Sequence, residues 1–177
     1  MRSTIRSRPL DPARDREAVA ALDASYATDV VHAVTATPAG FALVERPVRP
    51  PLHRRHAIDP EELAGATRAV VAEVDGRVVG VAALALRTWN RRAELLHLYV
   101  DAAARRGGVG RALLAAMREE AAALGARCLW AETQNVNVPA IRFYERAGFV
   151  RCGLDTSLYD PADAPGDVAI FMSLALA

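Results

Sequence analysis

The chain has 177 residues, a formal net charge of +1, 52% apolar and 24% charged residues. This length predicts one domain, residues 1–177, that buries a single core. The near-zero net charge argues against a bulk nucleic-acid or membrane-surface binder, so we expect neither partner. The N-terminus lacks an apolar signal core, and no uninterrupted apolar run reaches about 18 residues. A cytoplasmic location is therefore expected.

The two cysteines, Cys128 and Cys152, are too few for a disulfide framework or a metal cluster. We expect two buried, reduced thiols, with a redox pair as the alternative, and no metal site.

The first third of the chain predicts a strand over residues 3–10 and a helix over residues 11–26. The apolar residues of this helix recur at helical spacing; they are Val19, Leu22 and Tyr26. The proline-rich stretch that follows predicts a strand and then an extended arm over residues 46–60. This arm either walls a substrate site or crosses the surface.

The middle of the chain gives clearer signals. Asp75-Gly76 lies between two β-branched runs and predicts a hairpin, and a third strand is expected over residues 93–101. A helix over residues 109–124 follows, with one apolar face and a stop at Gly125; the face consists of Leu113, Met117, Ala121 and Leu124.

The last third predicts a strand over residues 126–134 and a helix over residues 137–149, capped by Asn137 and ended by Gly148. Two closing strands follow, and the apolar last one offers an edge for a second subunit. Alternating strands and helices after a hairpin indicate an α/β or α+β domain with a mixed sheet.

A glycine-rich loop connects the third strand to the long helix. Its sequence is Arg105-Arg106-Gly107-Gly108-Val109-Gly110-Arg111. Glycines in positive φ and a helix N-terminus together form a nest for phosphate or pyrophosphate. A P-loop is excluded because the chain has no lysine, and the dinucleotide fingerprint fails at Leu113. Glycines that serve packing alone are the alternative.

This loop resembles the acyl-CoA pyrophosphate loop of the GNAT family of N-acetyltransferases. A second motif of that family, Asn-x-x-Ala-x-x-x-Tyr-Glu-x-x-Gly-Phe, is matched by Asn137, Ala140, Tyr144, Glu145, Gly148 and Phe149. The resemblance implies the GNAT fold: a mixed, mostly antiparallel central sheet with splayed parallel strands 4 and 5, flanked by helices. It also implies acetyl-CoA as the cofactor.

A narrower resemblance is to the streptothricin acetyltransferases, carried by residues 132–160 and 41–52. It implies acetylation of a small-molecule amine, the β-lysine amine of streptothricin, and hence antibiotic resistance. One departure is Leu96-His97, where these enzymes often carry two acidic residues. Other acceptors stay open: a protein N-terminus or lysine, an aminoglycoside or a polyamine. A non-catalytic acetyl-CoA-binding module is the remaining alternative, and family members are often homodimers.

The resemblance also implies roles for individual residues. Tyr144 is the expected acid. Glu132 is the first candidate base, ahead of Glu94 and His97, with water alone as the alternative. On an ideal strand, Glu94 and His97 point to opposite faces. For the polycationic substrate, Asp155, Asp160 and Glu45 are available carboxylates. The expected cofactor contacts are Leu98, Tyr99, Val100, Arg105, Arg106, Gly107, Gly108, Val109, Gly110, Arg111, Asn137, Ala140, Phe143 and Tyr144.

Overall fold

The computed structural model of the chain describes residues 4–176. In chain order its helices and strands are β1 (Ile5–Pro9), α1 (Pro12–Ala20), β2 (Tyr26–Thr37), β3 (Gly40–Arg54), β4 (Arg68–Val74), β5 (Arg77–Arg87), β6 (Arg92–Val100), α2 (Val109–Ala123), β7 (Cys128–Gln134), α3 (Val138–Arg146), β8 (Val150–Asp155) and β9 (Ala169–Ala175). Within the described residues, two compact units form. The first unit contains 4–25, 55–130 and 175–176, and the second contains 26–54 and 131–174.

The first unit has the strand order β1-β4-β5-β6, followed by the first residues of β7. The pairs β1/β4, β4/β5 and β5/β6 are antiparallel, whereas β6 and β7 are parallel. This confirms the expected α+β class and the mixed, mostly antiparallel sheet of the GNAT fold. The hairpin predicted at Asp75-Gly76 is also confirmed, because Val74 pairs with Arg77.

Helix α2 lies on the sheet of the first unit and buries most of the apolar face predicted for it. It ends one residue earlier than predicted, and Leu124, which follows it, is only partly buried. Leu113, Met117 and Ala121 are fully buried. A second group of apolar side chains, which includes Val19, Leu22, Leu63, Val71 and Val81, forms a separate part of this core. Burial of these side chains is the main force that orders the unit.

Helix α1 is shorter than predicted. The side chain of Asp11 caps it by accepting hydrogen bonds from the backbone N–H groups of Ala13 and Arg14. It ends at Ala20, and Tyr26 opens β2 instead of continuing the helix. The carboxylate of Asp23 accepts a hydrogen bond from the Ser25 N–H, a local turn that competes with helix. Residue 3 of the predicted first strand lies outside the described residues.

The second unit contains a long two-stranded sheet of β2 and β3, so the prediction of an extended arm was wrong up to Arg54. Pro47 pairs with Val30, and Leu52 pairs with Thr28. The register shifts between these two pairs, and the intervening β3 residues, which include Pro50, bulge out of the ladder. Prolines are tolerated because a bulge does not need their missing N–H groups.

The remaining strands of the second unit have the order β7-β9-β8. The last strand of the chain, β9, therefore lies inside this sheet, and the prediction that it offers an edge was wrong; β8 is the outer strand. Cys128 is buried as expected, whereas Cys152 is exposed on β8, contrary to prediction. The exposure follows from the outer position of β8, whose residues 150–153 are all exposed.

Within residues 4–176, no helix is long and apolar enough to cross a membrane. The same range contains no group of three or more His, Cys, Asp and Glu side chains that could hold a metal ion.

Candidate functional site

The loop between β6 and α2 is held in place by Arg105. Its Nε donates to the Val100 carbonyl oxygen at 3.1 Å, and its Nη2 donates to the Asp23 carbonyl oxygen at 3.3 Å. A third hydrogen bond joins its Nη1 to the Ser25 carbonyl oxygen. These bonds give Arg105 a structural task in the first unit, namely to fix the path of the loop.

The geometry of this loop suits a pyrophosphate. Arg106 and Gly108 both have positive φ, at 65° and 95°. Gly108 is the N-cap of α2, and no capping side chain accepts a hydrogen bond from the first N–H groups of the helix. No acidic residue lies in the first turn. The N–H groups and the positive end of the helix dipole are therefore available to an anion.

The remaining residues of the predicted loop divide by exposure. Gly107 and Arg111 are exposed, Gly110 is partly buried, and Val109 is buried in the core. An added Cβ at Gly108 would meet other atoms only at ordinary distances, 3.5 Å or more. Its positive φ, and not lack of space, is therefore what favours glycine there.

Strand β6 carries a bulge just before the residues expected to contact the cofactor. Leu84 pairs with Leu95, but Ala83 pairs with His97, so Leu96 is an extra residue. The bulge breaks the alternation of side chains, and the argument that Glu94 and His97 point to opposite faces no longer holds. The predicted contacts Leu98, Tyr99 and Val100, which follow the bulge, are partly buried.

The two base candidates on β6, Glu94 and His97, differ in their partners and in the effect of burial. The carboxylate of Glu94 accepts a hydrogen bond from Arg87 Nε at 2.6 Å, in a salt bridge. Burial lowers the pKa of His97 below its ordinary value of 6.5, and its ring lies 5.7 Å from that of Tyr99. Glu94 is thus engaged by a cation, and His97 favours its neutral form.

In the second unit, the motif on α3 is built as the sequence predicts. Asn137 caps the helix: its Oδ1 accepts a hydrogen bond from the Ala140 N–H at 3.2 Å. Tyr144 is only 7% exposed, and its ring lies between those of Phe143 and Phe149, with centroids at 5.4 and 5.1 Å. These contacts fix the ring of Tyr144 near the surface of the core.

The base candidate Glu132 lies on β7 and is partly buried. The hydroxyl of Tyr159 donates a hydrogen bond to Glu132 Oε1. Burial, together with this hydrogen bond, raises the pKa of Tyr159 far above its ordinary value. Tyr159 therefore stays protonated and remains a hydrogen-bond donor to the carboxylate.

A salt bridge that sequence reasoning missed lies near this pair. Arg54 Nη2 donates to Asp167 Oδ1 at 3.0 Å, and the Asp167 side chain is only 4% exposed. Burial raises the pKa of Tyr26, which is close to both residues, to about 12. Arg54 and Asp167 are 113 positions apart in the chain, so no local pattern signals their contact.

The three carboxylates considered for a polycationic substrate all have local hydrogen-bond partners. Glu45 accepts hydrogen bonds from Arg142 Nη2 at 2.9 and 3.1 Å. Asp155 accepts from Ser157, and Asp160 accepts from the Ala162 N–H. Their main visible task is to stabilise the surface of the second unit.

Comparisons with known proteins agree with these features. The model of the acetyltransferase (GNAT) family matches residues 34–149. Streptothricin acetyltransferase of Streptomyces lavendulae is 37% identical over 169 residues, which cover 90% of this chain and 89% of that protein. The sequence similarity therefore extends over nearly the whole length of both proteins.

Solved structures show the same fold. A nourseothricin acetyltransferase structure is 43% identical, with a TM-score of 0.89, covering 98% of this chain and 99% of that one. A structure from Bacillus anthracis str. Ames, in complex with acetyl coenzyme A, has a TM-score of 0.82 at 24% identity, covering 97% and 99%. The chain therefore belongs to the acetyltransferase (GNAT) family, and it is an acyltransferase whose cofactor is acetyl coenzyme A.

Proposed function

We propose that the chain transfers the acetyl group of acetyl-CoA to the β-lysine amine of streptothricin and so confers resistance to that antibiotic. The observation that carries the proposal is the similarity to the Streptomyces lavendulae enzyme along almost the entire chain. Similarity confined to the family motifs would support acetyl transfer but would say little about the acceptor. The extension over β2 and β3, outside the glycine loop, supports a shared small-molecule amine substrate.

The loop and β6 are proposed to hold the cofactor. Backbone N–H groups of Arg106, Gly108, Gly110 and Arg111 bind the pyrophosphate, and the side chain of Arg106 adds positive charge. Backbone groups of β6 from Leu98 to Val100 bind the pantetheine arm. The bound cofactor supplies a thioester, whose acetyl group is activated for transfer to an amine.

Proton transfers are assigned to two residues of the second unit. An alkyl ammonium must lose a proton before its nitrogen can attack, and Glu132 accepts that proton, directly or through water. The new C–N bond replaces the C–S bond of the thioester, and Tyr144 donates its phenolic proton to the departing sulfur. The second proton that the nitrogen loses on becoming an amide restores the phenol. Glu132 is preferred over Glu94, because Glu94 forms a salt bridge with a cation, Arg87, whereas Glu132 accepts a hydrogen bond from a neutral phenol.

The proposal includes the organisation of the protein. One catalytic domain over residues 1–177 is supported by the family match, which takes in residues of both compact units. A homodimer is supported by the exposed outer strand β8. A cytoplasmic location, where acetyl-CoA is made and used, belongs to the same proposal.

A thiol-release assay with acetyl-CoA and a panel of amines tests the acceptor. The panel contains streptothricin, an aminoglycoside, a polyamine and a peptide with an unblocked N-terminus. We expect rapid turnover with streptothricin and little with the others. Turnover of the peptide or polyamine without turnover of streptothricin would contradict the proposal, while leaving the family and the cofactor untouched.

A further inference from the structure

Tyr159, which contacts Glu132, lies outside both GNAT motifs, the glycine-rich loop and the motif on α3. Tyr159 lies in the turn-rich segment between β8 and β9, and its hydroxyl donates to Glu132 Oε1 on β7. The two residues are 27 positions apart. A partly buried phenol that donates to a partly buried carboxylate is a specific arrangement, because both groups lose water to form it.

The segment that presents Tyr159 is ordered by local hydrogen bonds at its start. Asp155 Oδ1 accepts hydrogen bonds from both the N–H and the hydroxyl of Ser157, each at 2.7 Å. After the tyrosine, Asp160 accepts hydrogen bonds from the N–H groups of Ala162 and Ala164. Such turns fix the backbone on both sides of Tyr159.

Asn135 fixes the end of the same segment. Its Oδ1 accepts a hydrogen bond from the Val168 N–H at 2.8 Å, and its Nδ2 donates to the His32 carbonyl oxygen at 2.8 Å. Asn135 is 5% exposed and stands three residues after Glu132 in the chain. The strand that carries the carboxylate and the segment that carries the phenol are therefore joined by a buried amide.

The surroundings of Tyr159 keep its hydroxyl protonated. The titratable groups that face it are Glu132, Asp167 and Tyr26, and each of them, like burial itself, disfavours the phenolate. Asp167 in turn accepts a hydrogen bond from Arg54. The phenol thus acts as a hydrogen-bond donor to the Glu132 carboxylate.

We propose that Tyr159 is a positioning residue that holds Glu132 in one orientation, as a carboxylate, to receive the ammonium group of the substrate. This inference rests on the proposed function, in which Glu132 meets the acceptor amine. It adds a residue to the acceptor side of the reaction and assigns a task to the segment between β8 and β9. Specificity for a cationic amine then depends on that segment as well as on β7.

Loss of the Tyr159 hydroxyl should change the KM for the amine and leave the KM for acetyl-CoA unchanged. Loss of a hydrogen bond to a charged group weakens the interactions of that group by about ten-fold or more. For Tyr159→Phe, we therefore expect the KM for the amine to rise about ten-fold, with the KM for acetyl-CoA unchanged.

A double-mutant cycle tests the inference. Tyr159→Phe, Glu132→Gln and the double variant are compared with the wild type, using the amine that the wild type acetylates fastest. We expect Tyr159→Phe to have no further effect in the Glu132→Gln background, because the phenol acts only through that carboxylate. Leu158→Ala, the exposed neighbour on the same segment, is the matched control and should leave both KM values unchanged.

Two outcomes would overturn the inference. One is a Tyr159→Phe enzyme with an unchanged KM for the amine. The other is additive effects in the cycle, which would show that Tyr159 acts elsewhere. Thermal unfolding of each variant identifies loss of fold. Because the cycle uses whichever amine the wild type accepts, failure of streptothricin as a substrate would contradict the proposed acceptor and leave this test intact.

Discussion

Tyr144 and Tyr159 carry the same functional group, and their neighbours give them different tasks. Tyr144 is nearly buried between two phenylalanine rings on α3, whereas Tyr159 donates to Glu132. A hydroxyl already committed to a carboxylate is a poor acid for a departing thiolate. The acid role of Tyr144 and the positioning role of Tyr159 remain proposals for these two hydroxyls.

Tyr144→Phe tests the acid. Removal of the hydroxyl keeps both ring contacts, so the variant should fold as the wild type does. We expect kcat to fall about 100-fold or more, because general acid catalysis contributes roughly that factor. Steady-state kinetics with equilibrium binding of acetyl-CoA provide the measurement. A kcat equal to that of the wild type would remove Tyr144 from the mechanism.

The sequence predicted single residues well where their task is local. Asn137 as a cap and Asp75-Gly76 as a turn are examples, because both depend on bonds within a few positions of the chain. Tyr159 and the Arg54–Asp167 pair were missed, because their partners are distant in the chain. The partial or full burial of these residues is a property of the folded chain that no local pattern encodes.

At the scale of elements, strand β5 approaches β6 and α2 closely at Gly80. A Cβ added there would lie 2.8 Å from the Tyr99 carbonyl oxygen and 3.0 Å from Leu113 Cδ1. The first of these atoms belongs to the backbone of the strand proposed to bind the pantetheine arm. Gly80 therefore supports the cofactor site through packing, without touching the cofactor.

Gly80→Ala is expected to lower the free energy of unfolding by about 1–3 kcal/mol, the usual cost of inserting a methyl group into a filled core. A displaced β6 should also raise the KM for acetyl-CoA. Chemical denaturation and steady-state kinetics check the two effects. Gly65→Ala is the matched control, because an added Cβ there meets nothing within 4 Å. Equal stability of the two variants would contradict the argument.

The elements that were predicted correctly are those in which apolar residues recur at a regular helical or strand spacing. Helix α2 and strands β4 to β6 agree with prediction, since an apolar face at helical or strand spacing reflects burial directly. Strand β3 was mistaken for an arm because prolines disfavour regular pairing, and a bulge removes that conflict. The prediction made helix α1 too long because Tyr26 lies at helical spacing. Tyr26 is in fact buried as the first residue of β2.

At the scale of the whole molecule, two histidines link folding to pH. His32 is only 3% exposed, and burial lowers the pKa of both His32 and His97 below the ordinary value of 6.5. Below this value, the unfolded chain binds protons at these rings more readily than the folded chain does. The free energy of unfolding should therefore fall as the pH drops below about 6.5 and should be insensitive to these rings above it.

Denaturant unfolding between about pH 8 and pH 5 measures this dependence. We expect the decline to be weaker in His32→Gln, since one of the two linked groups is then absent. His53→Gln, at an exposed histidine, is the control and should follow the wild type. Asp15, whose pKa Arg8 lowers, affects stability only at more acidic pH, below its ordinary value of 3.8. A free energy of unfolding that is constant over this range would contradict the prediction.

We propose that one defined amine of streptothricin is acetylated. The position of the acetyl group in the product is the first measurement to make. Streptothricin is incubated with the protein and acetyl-CoA, and tandem mass spectrometry with NMR locates the added group. We expect a single acetyl group on an amine of the β-lysine moiety, formed only when both protein and acetyl-CoA are present. Unmodified antibiotic, or acetylation elsewhere on the molecule, would contradict the account.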